Sequence, residues 1–185
     1  KFSGSNREVK LSGQAFFNVS PDKSHPFIVK TKKMDVTVMG TSFEIFSYDN
    51  DKEVEAVLLT GKVKVAISDN KKLEGKIYTL APNEKLTYSE EKGVNLTNID
   101  ADAYSGWRKG KRMSFKNETL QMILNRLEKW YGQRIECDPQ LAEYYRFTFT
   151  VHSEPLALIL NYISHSAPLT YKMVGNNHYL IELKH

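Results

Sequence analysis

The stretch from Asp35 to Ile45 alternates apolar and polar residues, and the alternation changes parity halfway along. Val36 and Val38 occupy even positions, Phe43 and Ile45 odd ones. Side chains of a strand point to opposite faces with period two, so a buried set that changes parity must absorb one extra residue. Glycine takes up such a bulge or bend at the least steric penalty, and Gly40 stands between the two halves. The pattern recurs. Val54, Ala56 and Leu58 run to Thr60-Gly61, after which Val63, Val65 and Ile67 carry the opposite parity. Val9 and Leu11 precede Gly13, and Ala15, Phe17 and Val19 follow it without a slip.

Up to about residue 100 the chain reads as short strands cut by turn residues, with no helical period. Pro21-Asp22-Lys23-Ser24, Tyr48 to Lys52, Ser68 to Lys71 and Pro82-Asn83-Glu84 are the candidate turns. The expectation is an all-β domain over 1–104. Three loosely similar segments at Gly13, Gly40 and Gly61 hint at an irregular solenoid-like winding of short strands, and the pattern alone also fits a sandwich.

Between Asn98 and Lys111 the alternation lapses into Asp, Ala, Ser, Gly and basic residues, and the domain boundary is placed there. Beyond it the period changes, which predicts a second, α+β domain over 105–185. Leu120, Ile123, Leu124, Leu127 and Tyr131 fall on one helical face behind Asn117 as N-cap, and Gly132 ends that helix. Leu156, Ile159, Leu160 and Ile163 mark another, opened by Glu154-Pro155 and closed by Pro168. Strands are expected at Met113 to Phe115, at Ile135 to Cys137 and at Phe147 to Val151. A hairpin sets Leu169, Tyr171 and Met173 against Tyr179, Ile181 and Leu183 around Gly175. The predicted order is β-α-β-β-α-β-β.

The net charge of +4 is carried entirely by the second part: 15 Lys/Arg meet 15 Asp/Glu up to Tyr104, and 11 meet 7 beyond it. The excess gathers at Arg108, Lys109, Lys111 and Arg112. Such a cluster either forms a solvated linker or steers an acidic partner. Trp107 either packs between the two modules or anchors a partner. The segment from Tyr144 through Tyr145 and Phe147 to Phe149 is rich in aromatic and β-branched residues. It is either a strand edge open to a partner or a cover for the local core.

Catalytic and metal signatures are missing from the sequence. The five histidines are scattered, and the single Cys137 shares the parity of Ile135 and reads as a small core residue. No phosphate loop or nucleophile elbow occurs, so neither an enzyme nor a cofactor is expected. Acidic pairs such as Glu53/Glu55 and Glu90-Glu91 are read as turn or solvent-face residues. Nucleic-acid binding lacks the GXXG loop and the aromatic RNP motifs it would need. No run approaches the length of a membrane span.

Leu11 to Val19, Pro26 to Thr31, Asp35 to Phe43, Leu59 to Val63 and Leu80 to Glu84, taken in order and spacing, resemble the FecR family of periplasmic anti-sigma regulators. The second module resembles the short N-terminal domain of secretins and TonB-dependent transporters. The family's further upstream strand run, its sigma-binding cytoplasmic segment and its membrane helix do not lie within these residues. The resemblance favours a twisted, solenoid-like β-fold over a sandwich for the first domain, and implies the periplasmic part of an inner-membrane-anchored protein. Its expected partner is the N-terminal signalling domain of a TonB-dependent outer-membrane transporter, and binding would control an extracytoplasmic-function sigma factor. Trp107, Arg108, Lys109, Tyr144, Tyr145 and Phe147 are the candidate partner-binding residues. Some relatives divide themselves at a Gly-Thr bond in this motif, which here would be Gly40-Thr41. The competing reading is a carbohydrate-binding or other periplasmic β-rich module without a signalling role.

Overall fold

The structure, a computed structural model, describes residues 6–49, 51–106 and 112–184. The chain divides into two units, Lys1–Asp102 and Ala103–His185. The first holds strands β1 (Arg7–Lys10), β2 (Gly13–Val19), β3 (Phe27–Lys30), β4 (Met34–Val38), β5 (Thr41–Ser47), β6 (Glu53–Thr60), β7 (Val63–Ile67), β8 (Ile77–Leu80), β9 (Glu84–Ser89) and β10 (Gly93–Asn98). One sheet has the order β1-β3-β4-β7-β8 and the other β10-β9-β6-β5-β2. Every neighbouring pair is antiparallel except β1 with β3.

Successive strands pass back and forth between the two sheets, and this explains the parity change. Strand β4 belongs to one sheet and β5 to the other, so Met39-Gly40 is a corner between sheets and not a bulge within one strand. Gly61 makes the equivalent corner from β6 to β7, while Gly13 and Asn83 stand where β1 and β8 give way to β2 and β9. All four have positive φ, the backbone conformation that glycine and asparagine tolerate. A register shift does occur next to the corner, where Ser42 pairs with Thr60 but Phe43 with Leu58.

The inner faces of both sheets close over one core. Val29, Met34, Val36, Val38, Val63, Val65 and Leu80 come from the first sheet, and Phe43, Ile45, Val54, Ala56, Leu58, Leu86 and Tyr88 from the second. Over β5, β6 and β9 the opposite face of the second sheet is buried as well, at Glu44, Phe46, Glu55, Val57 and Lys85. Glu55 is therefore not on a solvent face. Its carboxylate lies 3.6 Å from the Lys85 ammonium, the pairing a buried charge requires.

Helix α1 (Ala101–Tyr104) runs across the division between the units. Then come β11 (Met113–Thr119), α2 (Leu120–Tyr131), β12 (Arg134–Cys137), α3 (Pro139–Tyr144), β13 (Arg146–Val151), α4 (Leu156–Ser166), β14 (Leu169–Gly175) and β15 (His178–Leu183). Strands β11 and β13 form a two-stranded sheet, and β12-β15-β14 a three-stranded one. Helices α2 and α4 supply Leu120, Ile123, Leu124, Leu127, Ile159, Leu160 and Ile163 to the core of this unit. Among the described residues no helix is long and apolar enough to cross a membrane.

Two details depart from the sequence reading. Asn117 is not an N-cap: it sits at φ +52 in the bulge between Phe115 and Glu118. The bulge lets β11 keep pairing with β13 as far as Thr119, whose Oγ1 accepts from the Met122 amide and caps α2. Asp138-Pro139, which the sequence places as a break between the strands at Ile135 to Cys137 and Phe147 to Val151, is a helix start. Asp138 Oδ1 accepts from the amides of Gln140 and Leu141 at 2.8 and 3.3 Å, and proline at the first helical position has no amide to lose. The order therefore contains a third helix, and Tyr144 belongs to α3 and not to a strand.

Candidate functional site

At the Gly40-Thr41 corner three distant segments meet. The Asp22 amide donates to the Met39 carbonyl at 2.9 Å, and a Cβ on Gly40 would lie 2.7 Å from Pro21 Cα. A Cβ on Gly61 would lie 2.7 Å from the Gly40 carbonyl oxygen and 2.9 Å from Thr41 Oγ1. The backbones approach this closely only because neither corner carries a side chain. Thr41 is 4% exposed, and its hydroxyl donates to the Lys62 carbonyl at 3.1 Å.

An open cleft of about 250 Å³ lies over the corner, lined by Pro21, Asp22, Lys23, Met39, Gly40, Thr41 and Lys62. Asp22 accepts from the amides of Ser24 and His25, and its Oδ2 lies 3.0 Å from His25 Nδ1. The His25 ring, with those amides, holds the Asp22 carboxyl below its ordinary pKa. Asp22, Lys23 and Lys62 were not legible as site residues, since they lie some twenty positions to either side of Gly40. The one sequence signal for them is that Pro21-Asp22-Lys23-Ser24 reads as a turn and Thr60-Gly61 as a change of strand parity.

The second candidate region lies in the C-terminal unit. Trp107, Arg108 and Lys109 fall outside the described residues. Tyr144, 77% exposed, ends α3 and meets Tyr145 edge-on, with ring centroids 5.1 Å apart and planes at 87°. Tyr145 in turn stacks on Phe147 at 6.5 Å. Tyr145 and Phe147 are half-buried and pack against the core of the unit, and among the described residues β13, which begins at Arg146, pairs only with β11.

The outer edges of the three-stranded sheet differ from each other. Arg134 donates its amide to Asn177 at the β15 side, which turns the Ile135 amide outward, and Glu128 Oε1 takes that amide at 2.6 Å. The β12 edge is thereby capped. On the far side the Lys184 amide donates to the Pro168 carbonyl. Hydrogen-bonded pairs of an antiparallel ladder recur every second residue, so Tyr171 and Met173 turn their backbone groups away from β15. Among the described residues no strand pairs with that edge. Met173 is 63% exposed, and Val174 and Leu183 are also exposed.

Cys137 packs against the core of its unit, and burial pushes its thiol up to about 11. The thiolate is the nucleophile, so alkylation of Cys137 by iodoacetamide at pH 8 is expected to run on the order of a hundredfold slower than that of an unperturbed thiol. Mass spectrometry of a timed labelling series checks this, and labelling as fast as a free cysteine would contradict the packing described. Among the described residues no group of His, Cys, Asp or Glu is placed to hold a metal ion.

The chain matches the model of the FecR protein family over residues 1–64 and that of the FecR C-terminal region over residues 112–181. It is similar to a crystal structure of a Parabacteroides distasonis protein assigned by inference as an anti-sigma factor. The identity is 28%, the TM-score 0.87, and the match covers 99% of this chain and 83% of that one. A second crystal structure from the same organism, with the same assignment, matches at 28% identity and TM-score 0.85, covering 98% and 82%. Among curated proteins none matches in sequence. The two family models together take in well over half of the residues, the solved relatives share the fold along almost the whole chain, and the chain belongs to the FecR family of anti-sigma regulators.

Proposed function

We propose that this chain is the periplasmic, signal-receiving region of a membrane-anchored regulator. It binds the N-terminal signalling domain of a TonB-dependent outer-membrane transporter and, through a cytoplasmic segment outside these residues, controls an extracytoplasmic-function sigma factor. The unpaired β14 edge is the observation that carries this reading. Its outward backbone groups at Tyr171 and Met173 can hydrogen-bond a partner's strand, and Met173 and Val174 add apolar contact area. The β12 edge, capped by Glu128, offers no such ladder at Ile135.

Met173→Asp is expected to weaken binding of a co-encoded transporter's signalling domain at least tenfold in calorimetry, with the melting temperature of the chain unchanged. Equal affinity for the variant would remove the β14 edge from the account. The carbohydrate-binding alternative needs coplanar exposed rings. The exposed Tyr144 instead meets the half-buried Tyr145 at 87°, which supports the signalling reading over it.

The corner geometry favours a second activity, self-cleavage between Gly40 and Thr41. The Thr41 hydroxyl adds to the Gly40 carbonyl carbon, the C–N bond breaks, and the hydroxyl proton is made good on the departing amine. The product is an ester with a free α-amine, and water then splits the ester. A nucleophile one bond away needs no separate binding step. Gly40, at φ +139, holds the bond in a backbone conformation that few residues adopt, and Lys23 and Lys62 line the same cleft. Mass spectrometry of denatured protein should show fragments 1–40 and 41–185, and Thr41→Ala should abolish them. A single intact mass after long incubation would end this reading.

A further inference from the structure

We propose that the Gly61-Lys62 corner is the positioning element for Thr41, an inference that rests on the self-cleavage reading above. The Thr41 hydroxyl is buried and its hydrogen is donated to the Lys62 carbonyl at 3.1 Å. That bond selects one orientation of the hydroxyl, leaves the oxygen lone pairs free, and draws the hydrogen away from them, which makes the oxygen a better nucleophile. Gly61 makes the bond possible. Any Cβ there would press on the Gly40 carbonyl oxygen at 2.7 Å and on Thr41 Oγ1 at 2.9 Å, the two oxygens that change bonding in the reaction. A side chain at 61 would push the corners apart and lift Lys62 off the hydroxyl.

The step balances without an added reactant. The Oγ–C bond forms as the O–H bond breaks, and the Gly40 C–N bond breaks with its electron pair going to nitrogen, which takes up the proton. The Lys62 carbonyl accepts the hydroxyl hydrogen bond until the O–H bond breaks, and the proton then passes to the departing nitrogen and not to Lys62. Water added to the ester then gives the Gly40 carboxylate and returns the Thr41 hydroxyl.

The test compares fragment formation, read as intact masses after denaturation, in the wild-type chain, Gly61→Ala and Gly75→Ala, with and without hydroxylamine, which attacks an ester and spares an amide. Gly75 has φ +76 but no atom within 4 Å of a Cβ placed on it, so its alanine variant carries backbone strain without the contact. Gly61→Ala is expected to form fragments at least tenfold more slowly at a temperature where circular dichroism shows it folded, and Gly75→Ala at the wild-type rate. Cleavage of folded Gly61→Ala at the wild-type rate would overturn the positioning role and leave self-cleavage standing. A wild-type chain that stays intact even in hydroxylamine would overturn both.

Should Gly61→Ala not fold, Thr41→Ser puts the same question. Serine keeps the hydroxyl and is less hindered, but loses the β-branch that restricts its rotamers. It is expected to cleave several-fold more slowly, and a rate equal to or above that of threonine would overturn the proposal.

Discussion

Gly40→Ala is expected to destabilise the first unit by about 2–6 kcal/mol. Holding an alanine at φ +139, outside the regions an L-residue favours, costs about 1–3 kcal/mol. The added methyl would meet Pro21 Cα at 2.7 Å, and Pro21 cannot easily give way, because the Asp22 amide is tied to Met39 in the same stack. Forcing an extra methyl into a packed place costs about a further 1–3 kcal/mol. Against the lower end of the usual domain stability of about 5–15 kcal/mol, a loss of that size would bring the variant close to unfolding at ordinary temperatures. Urea denaturation beside Gly75→Ala separates the contributions, since the latter has the strain alone and should lose only about 1–2 kcal/mol. Equal losses in the two variants would mean that the corners do not stack as described.

Phe43→Ala should cost about as much, by a different route. Phe43 is fully buried between the sheets, its ring stacked on Phe17 at 5.1 Å. Removing a buried phenylalanine side chain loses its transfer free energy and leaves a cavity, together about 3–5 kcal/mol. Tyr144→Ala, at an exposed position, should stay within about 0.5 kcal/mol of wild type. A small effect at Phe43 in the same denaturation series would show that the strand parity has been assigned to the wrong face.

The parity of Val36, Val38, Phe43 and Ile45 was legible because all four are buried in a single core. What the change of parity meant was not legible. A bulge within one strand and a corner between two sheets both demand an extra residue and both favour glycine, and only the pairing partners of β4 and β5 tell them apart. Glu55 was misread because alternation predicts exposure only when one face of a sheet is solvated, and here both faces of β6 are buried. Asn117 and Asp138 are both good cap residues by composition. Asn117 instead satisfies a bulge with a left-handed backbone, and Asp138 opens a helix too short to show a period.

The cleft at Gly40 draws on residues from three corners, which no local pattern could bring together. On the other unit, the alternation of Tyr171 and Met173 was visible, but their place at an unpaired edge depends on strand order, which sequence does not give.

Amide hydrogen exchange on the chain, with and without the N-terminal signalling domain of a co-encoded TonB-dependent transporter, reports whether β14 takes up a strand of that domain. An added strand would occupy the outward amides of β14, so exchange at Tyr171 and Met173 should slow while that at Ile135, already bonded to Glu128, should not change. Unaltered exchange along β14 at a saturating concentration of the domain would contradict the proposal that this edge receives the transporter's signal.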